Sequence, residues 1–598
     1  MAVGNSGDET IFSGAFSGIY EAKWVGGTWL LARRVPAEAQ NRILAQHLHV
    51  AVIPGRGMRV VDTLDVVVGN PDGLTLRLNH RARLHEIRFD GQGVDHALGG
   101  GLLWIRAPSP GRARLALSYS LDVETDTLSE PNSGMFHPAF GHVRSQYYWH
   151  PRFEGESGAD RADFVLTARI PAEYHLATSI PQTETVSGGV RTVRAQAARP
   201  TDALTLLYDR EWHVAIRRFG HLGLQTFLTP DFRPAREELE AAFRRTYEIL
   251  SQRFGEPRAG YFAVAQGRAR GASGWHFRSN DLIVAGKNGG PPIQAEPIPR
   301  AYLGHEIAHG WTHPTGPAAN FLREGWATYA ESLLLAQEFG SEVEGAFWEA
   351  QRNRYEVGGH EGHRSILEDP TNSGVAYSKG AWIFRMLRHV MGEEAFTRGI
   401  RDYLQVAPGE PAGLKEFSAA LSRAAGREMD TFLDPWVSEK VIPDIEARVK
   451  GTNLIVTQTG PVFTFPLEVE LLARSGWVRR TVHLRQRSDT LDLGRLGPVS
   501  DIRVDPDHHL LMRRRRGQTV RYELPAPHAE RVSLAGDFTS TPIPAVKEGD
   551  LWTVTIPLTD GRYYWRWVIE GGSAGEGQPT SGVRLVQPLK NLRSPYPR

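Results

Sequence analysis

The chain has 598 residues, 41% of them hydrophobic and 23% charged, a globular composition too long for a single hydrophobic core. Lys plus Arg (69) nearly cancels Asp plus Glu (68), and the formal net charge of +1 argues against nucleic acid as a partner held by bulk charge. With no cysteine, disulfides, thiol nucleophiles, iron–sulfur clusters and Cys-ligated zinc are excluded, so any metal must be held by histidines and carboxylates.

Taken in chain order, Met1-Ala-Val-Gly-Asn-Ser-Gly7 has neither a basic nor an apolar leader region, and no stretch reaches the roughly 18 consecutive apolar residues of a spanning helix. The expectation is a protein without a membrane span, cytoplasmic unless a leader has been removed. Residues 1–11 read as a flexible tail. From about 12 to 217 the chain reads as β, with short runs such as Leu48–Ile53, Leu74–Leu78, Leu115–Leu121 and Asp163–Ile170 separated by Gly, Pro, Asn and Asp clusters. An N-terminal β domain over 1–217 follows, either a sandwich or an open curved sheet.

The period changes near Pro230. Leu239, Phe243, Tyr247, Leu250 and Phe254 share one face of a helix that starts at Pro234 and stops at Gly255-Glu-Pro257. Further helices are expected at about 299–312, 322–338, 342–356, 376–391, 393–405 and 413–424, giving a mostly helical domain over 218–445. Strand periodicity returns in Leu454–Thr457, Leu467–Leu471 and Val482–Leu484, a small β-sandwich over 446–516. Arg513-Arg-Arg-Arg516 closes it as a solvated linker, and 517–598 form a further β unit. The fold class is therefore multidomain α+β: a β domain, a helical domain, then two β-sandwich modules.

One segment carries metal chemistry. In His305-Glu306-Ile-Ala-His309, residues four apart on a helix lie about 40° apart around the axis, so both imidazoles leave one face and can reach one Zn²⁺ at about 2.0–2.1 Å. Glu306 stands beside them, where it can take a proton from the attacking water. A catalytic zinc also needs a third protein ligand, and the next helix, Asn320-Phe-Leu-Arg-Glu-Gly-Trp-Ala-Thr-Tyr-Ala-Glu331, offers Glu324. Alone, Glu324 reads equally as a carboxylate at the positive end of a helix. Glu331, two turns on, either hydrogen-bonds a ligand histidine or lies on a solvated face.

These two segments together, followed by Val375-Ala-Tyr377-Ser-Lys379-Gly380, resemble the aminopeptidase N family of gluzincins, zinc metallopeptidases. The resemblance implies a thermolysin-like catalytic domain over 218–445, His305, His309 and Glu324 as ligands of one catalytic Zn²⁺, Glu306 as general base, and Tyr377 as the donor that stabilises the oxyanion. By itself Tyr377 would read as a packed aromatic. The family's order of domains also matches, and Asp505-Pro-Asp507 is familial in appearance. The metzincin pattern is rejected, because it would need a histidine where Thr315 stands.

Three departures qualify the resemblance. The loop from His309 to Glu324 is shorter than in the family. The strand that in the family carries a glutamate for the substrate's α-ammonium corresponds to Gly271-Ala-Ser-Gly-Trp275, which has no carboxylate. Gly271, Ala272, Ser273 and Gly274 are left as a backbone-binding stretch for a peptide or protein substrate, and exo- and endopeptidase readings both stay open. Finally, the C-terminus is β rather than a helical cap. Val532–Phe538, Leu551–Leu558 and Gly561–Gly571 resemble the immunoglobulin-like, glycogen-binding type of module (carbohydrate-binding family 48). Its signature tryptophan is missing, and Trp552, Trp565 and Trp567 are expected to fill the core rather than stack on sugars. The reading that results is a zinc peptidase; its rivals are another hydrolase on the same scaffold, acting on an ester or epoxide, and a non-catalytic binding protein with structural zinc.

Overall fold

Along Arg42–Ile53 and Gly57–Val68 buried and exposed side chains alternate, the period of a sheet with one covered face. These strands pair antiparallel at the centre of an eight-stranded sheet in the computed structural model. The structure describes residues 9–13, 19–25, 28–35, 41–69, 73–107, 109–122, 134–144, 147–153, 162–197, 200–201, 204–220, 222–230, 236–257, 260–267, 275–276, 282–286, 299–356, 360–369, 374–406, 412–494, 496–513, 517–536, 538–539, 542–559, 561–575 and 578–586. The chain forms two compact units. The first comprises Met1–Arg245, Pro257–Gly290 and Ala407–Glu410; the second comprises Thr246–Glu256, Pro291–Val406 and Pro411–Arg598.

In the first unit, Asp163–Pro171 joins Arg42–Ile53 in parallel, with Leu166 beside Leu48, and the other neighbours in the eight-stranded sheet are antiparallel. Leu64, Val66, Leu115, Leu121, Leu166 and Trp149 fill the core beneath it. The Trp149 indole donates to the Leu204 carbonyl at 2.8 Å, which satisfies its one polar atom in that core. A second sheet orders His213–Phe219, Leu222–Leu228, Tyr261–Gly267, Leu282–Gly286 and Trp275–His276. The expected division between residues 217 and 218 falls inside the strand His213–Phe219, which pairs along its whole length with Leu222–Leu228. Its side chains are exposed or half-buried throughout, so its hydrophobic pattern carries no mark of the sheet it joins.

The second unit is where the helices gather. Helix α1 (Arg236–Phe254) ends there with Phe254 packed edge-to-face on Trp326 at 5.0 Å. It is followed by α2 (Pro299–Ala308), α3 (Trp326–Glu356), α4 (Gly380–Met391), α5 (Glu393–Leu404), α6 (Leu414–Ala425) and α7 (Asp430–Ser438). Helix α3 is broken at Gly340, whose φ of 82° only glycine adopts without strain; this is the gap expected between residues 338 and 342. Phe321, Trp326, Tyr329, Phe384 and Phe417 interlock as an aromatic core between these helices. No described helix is long and apolar enough to cross a membrane.

Beyond α7, Asp444–Lys450, Asn453–Thr459 and Ser488–Asp492 form one three-stranded sheet, and Gly476–Leu484, Phe465–Ala473 and Asp501–Val504 another. Arg513, first of the four arginines, pairs with Glu361 at 2.7 Å; the other three lie outside the described residues. The last segment folds into a three- and a four-stranded sheet around one core that includes Val520, Leu534, Phe538, Trp552, Tyr563 and Trp567. Trp552 and Trp567 are buried in that core and Trp565 packs against it, so the indoles serve packing.

This last segment is fastened to α3 through a charge. Arg352 is fully buried on α3, and its guanidinium donates to Glu356 at 2.6 Å and Asn353 at 2.7 Å, with the Tyr563 hydroxyl at 3.5 Å and Glu349 at 3.6 Å. A buried cation is tolerable only when so enclosed, and removing it strands two carboxylates. Arg352→Ala is expected to cost about 3–5 kcal/mol, read as a lower urea midpoint for the transition that includes the helical domain.

Candidate metal centre

Two helical irregularities build the site. Helix α2 carries His305 and Glu306, then tightens at its C-terminus into a 3₁₀ turn, His309–Trp311, so the second imidazole leaves from a change of helical pitch. Thr312 is extended and ends the turn before Pro314 is reached. The C-terminal half of α2 is tied to α3 by packing of Gly304 against Leu334 and by the Trp326 indole, which donates to the Ala308 carbonyl at 3.0 Å. Trp311 in turn donates to the Gly255 carbonyl at 2.7 Å.

Before α3 begins, Phe321–Gly325 makes a π-helical turn, and Glu324 sits within it. Before α4, Val375–Lys379 makes another, and Tyr377 sits within that one. Such turns insert one extra residue into a helix and re-aim the side chains they contain. The two turns meet backbone to backbone at a glycine pair. A methyl group on Gly325 would stand 2.9–3.0 Å from the Gly380 backbone, and one on Gly380 would stand 3.1 Å from Gly325 Cα. Side chains at these positions would push the turns apart.

The result is convergence of the expected residues. Glu324 Oε2 lies 3.5 Å from His305 Nε2 and 3.4 Å from His309 Nε2, and the three donor atoms fall within 4.8 Å of one another. Donors around one tetrahedral Zn²⁺ at about 2.0–2.1 Å sit about 3.3–3.4 Å apart, so both Glu324 distances match that ion, as does the ligand chemistry of the set. Glu306 Oε2 is 4.0 Å from His309 Nε2, and all four groups are buried.

Around this set, Glu331 lies 3.8 Å from His305 Nδ1, an ion-pair distance rather than a hydrogen bond, and it is buried rather than solvated. Thr328, absent from the sequence reading, puts its hydroxyl nearer to the same nitrogen, at 3.5 Å. Its place one turn before Glu331 and one after Glu324 is the signal that could have found it. The Tyr377 ring stacks parallel to His305 at 5.6 Å, and its hydroxyl lies against the Glu324 carboxylate. Gly271, Ala272, Ser273 and Gly274 lie outside the described residues; Trp275 and His276 form the sheet's edge strand, antiparallel to Leu282–Gly286.

Charge states follow from the surroundings. Burial alone would raise the Glu324 carboxyl, but His309, His305 and Arg323 hold it well below the usual carboxylate range. Burial and the Glu324 carboxylate push the Tyr377 phenol well above its ordinary value, against the opposing pull of Arg354 and Arg323, so Tyr377 keeps its proton at neutral pH. Next to it, Ser378 donates to Gln351 at 2.8 Å and Lys379 donates to the Glu439 carbonyl at 2.6 Å. These bonds pin the Tyr377 turn from the α3 and α7 sides.

Comparison with known proteins bears on the same segment. Residues 300–436 match the Peptidase family M1 domain. The match begins with α2 and ends with α7, and so contains every residue of the converging set. Among relatives, a probable aminopeptidase 2 of Sulfurisphaera tokodaii is 23% identical over 232 residues, 34% of this chain and 28% of that protein. Aminopeptidase N of Lactococcus lactis is 31% identical over 96 residues, 16% of this chain and 11% of that one. The chain thus matches well under half the length of these relatives. In fold, the crystal structure of Legionella pneumophila aminopeptidase A in complex with aspartic acid superposes with a TM-score of 0.64 at 15% identity, covering 79% of this chain and 59% of that one.

Two outcomes test the architecture. Gly380→Ala should destabilise the protein by about 1–3 kcal/mol and lower zinc affinity as the Glu324 turn is displaced, measured by denaturant unfolding and metal titration. Burial also pulls the Lys379 ammonium from 10.5 down to about 7. Between those values the unfolded chain binds the proton that the folded chain does not, so stability rises with pH from 7 to 10.5 and the full penalty is present below 7. Unfolding of Lys379→Met across that range should lose this rise, on the order of a few kcal/mol.

Proposed function

We propose that the protein is a zinc-dependent peptidase in which His305, His309 and Glu324 hold the metal and Glu306 and Tyr377 are catalytic. The observation that carries this reading is the meeting of three metal-donor atoms with a buried carboxylate and a phenol that keeps its proton. A Zn²⁺ held by the set would supply the Lewis acidity that peptide hydrolysis needs at neutral pH.

The chain's own residues then have distinct tasks. Glu306 takes a proton from the attacking water and passes it to the leaving amine as the C–N bond breaks. Tyr377 donates its hydroxyl hydrogen to the carbonyl oxygen as negative charge builds there, so its contribution is made mainly in the transition state. Glu331 and Thr328 hold His305 from its Nδ1 side and leave Nε2 directed at the metal set. By resemblance, Gly271, Ala272, Ser273 and Gly274 contact substrate backbone. With no carboxylate among them, they give a free α-ammonium no counter-charge, and peptides with a blocked N-terminus remain admissible substrates. The C-terminal segment is assigned a structural role, its indoles being occupied in packing.

Cleavage of one peptide with a free and with an acetylated N-terminus, with and without a zinc chelator, tests the reading. Chelator-sensitive hydrolysis is expected; internal cleavage of both peptides would make the enzyme an endopeptidase, and cleavage of the free one alone an exopeptidase whose amine site lies elsewhere. Glu306→Gln should keep its zinc and lose about 10²–10⁴-fold in turnover, whereas near-normal turnover would remove Glu306 from the mechanism. Glu324→Ala should lose zinc, and unchanged metal content would place the third ligand elsewhere.

A further inference from the structure

Two arginines, Arg354 and Arg323, act on Tyr377, and a third, Arg352, lies two residues from Arg354 on α3; their hydrogen bonds differ. Arg352 is enclosed by Glu356, Asn353, Tyr563 and Glu349. Arg323 donates to Asn320 at 2.5 Å and to Glu324 at 3.3 Å. Arg354, near the C-terminal end of α3, is half-buried with its guanidinium carbon 5.2 Å from the centre of the Tyr377 ring, and makes no hydrogen bond to another described residue. A guanidinium carries five N–H donors, and leaving them without an acceptor among the described residues, where burial already disfavours the charge, is costly. Glu331 and Tyr377 lie near enough to favour its charge without accepting from it, and His360 faces it from the next segment, its imidazole held below the ordinary range by burial and by Arg354.

The manner in which Arg354 is held suggests what completes it. A guanidinium held over an aromatic ring spends none of its five N–H donors, which lie in the guanidinium plane, on that contact. That in-plane fork matches a carboxylate, which it can bind with two parallel hydrogen bonds. The ring it stacks on belongs to the proposed oxyanion donor, so a group bound by this fork would lie within a residue or two of the scissile bond. Resting on the peptidase reading, we propose that Arg354 is a substrate-selecting residue that binds a carboxylate of the peptide, either the C-terminal carboxylate or an acidic side chain flanking the cleaved bond.

The test uses the zinc-loaded full chain and two peptide pairs: one with a free against an amidated C-terminus, one with Glu against Gln beside the scissile bond. Wild type should prefer the carboxylate member of one pair by about ten- to a hundredfold in kcat/KM, which identifies the source. Arg354→Gln should reduce that ratio towards one, and Arg354→Lys should keep part of it. Reduced-amide analogues of the same pairs, whose scissile bond cannot be hydrolysed, should show the same ratio in calorimetric affinity. Equal ratios in wild type and Arg354→Gln, or an equal loss on all four peptides, would overturn the proposal, the latter making Arg354 a support for Tyr377. If nothing is cleaved, the peptidase reading falls while the affinity ratios still decide the role of Arg354.

Discussion

The contact between Gly325 and Gly380 is the constraint on which the site depends. Two π-helical turns touch through their backbones because neither position has a side chain. One turn carries Glu324 and the other Tyr377, so the separation of the proposed third ligand from the proposed oxyanion donor is set by peptide-to-peptide contact. Backbone contact is stiffer than side-chain packing, since no rotamer change can absorb a displacement. The Ser378–Gln351 and Lys379–Glu439 bonds brace the same turn from behind, at atoms away from the chemistry.

Electrostatics complete what the backbone begins. Four buried carboxylates or imidazoles within a few ångströms would be unfavourable unless each charge met an opposite partner. Here Glu324 is balanced by both imidazoles and Arg323, and Tyr377 stays protonated beside it. The centre is preorganised: its dipoles and charges are oriented by helices before a substrate arrives, which lowers the reorganisation needed during reaction. Of the nearby arginines, Arg323 neighbours Glu324 in the same turn and Arg354 stands near the far end of α3, so the field at the centre is shaped by more than the converging residues.

Much of this was legible in the chain. The i, i+4 spacing of His305 and His309 announces a shared face, and Glu324 opens the next helix in the right chemical form for a third ligand. Helix limits follow closely from Pro, Gly and apolar periodicity, down to the break at Gly340. What was not legible has physical causes. A π-helical turn shifts the hydrogen-bond register by one residue without altering the apolar period, so nothing marked Phe321–Gly325 or Val375–Lys379. Arg354 sits 23 residues from Tyr377 in sequence and meets it only through tertiary packing. The strand His213–Phe219 has no fully buried side chain, and its sheet membership comes from backbone pairing that composition does not report.

The bond between Arg352 and Tyr563 has a consequence for the order in which the protein is made. These partners are 211 residues apart, so the helical domain leaves the ribosome well before its last buried contact exists. At about 5–20 residues per second, that interval lasts roughly 10–40 s. During it, Glu349, Asn353 and Glu356 hold Arg352 on one side while water occupies the other. The nascent domain therefore passes through a hydrated form of α3, and the final dehydration of this helix coincides with arrival of the last β segment.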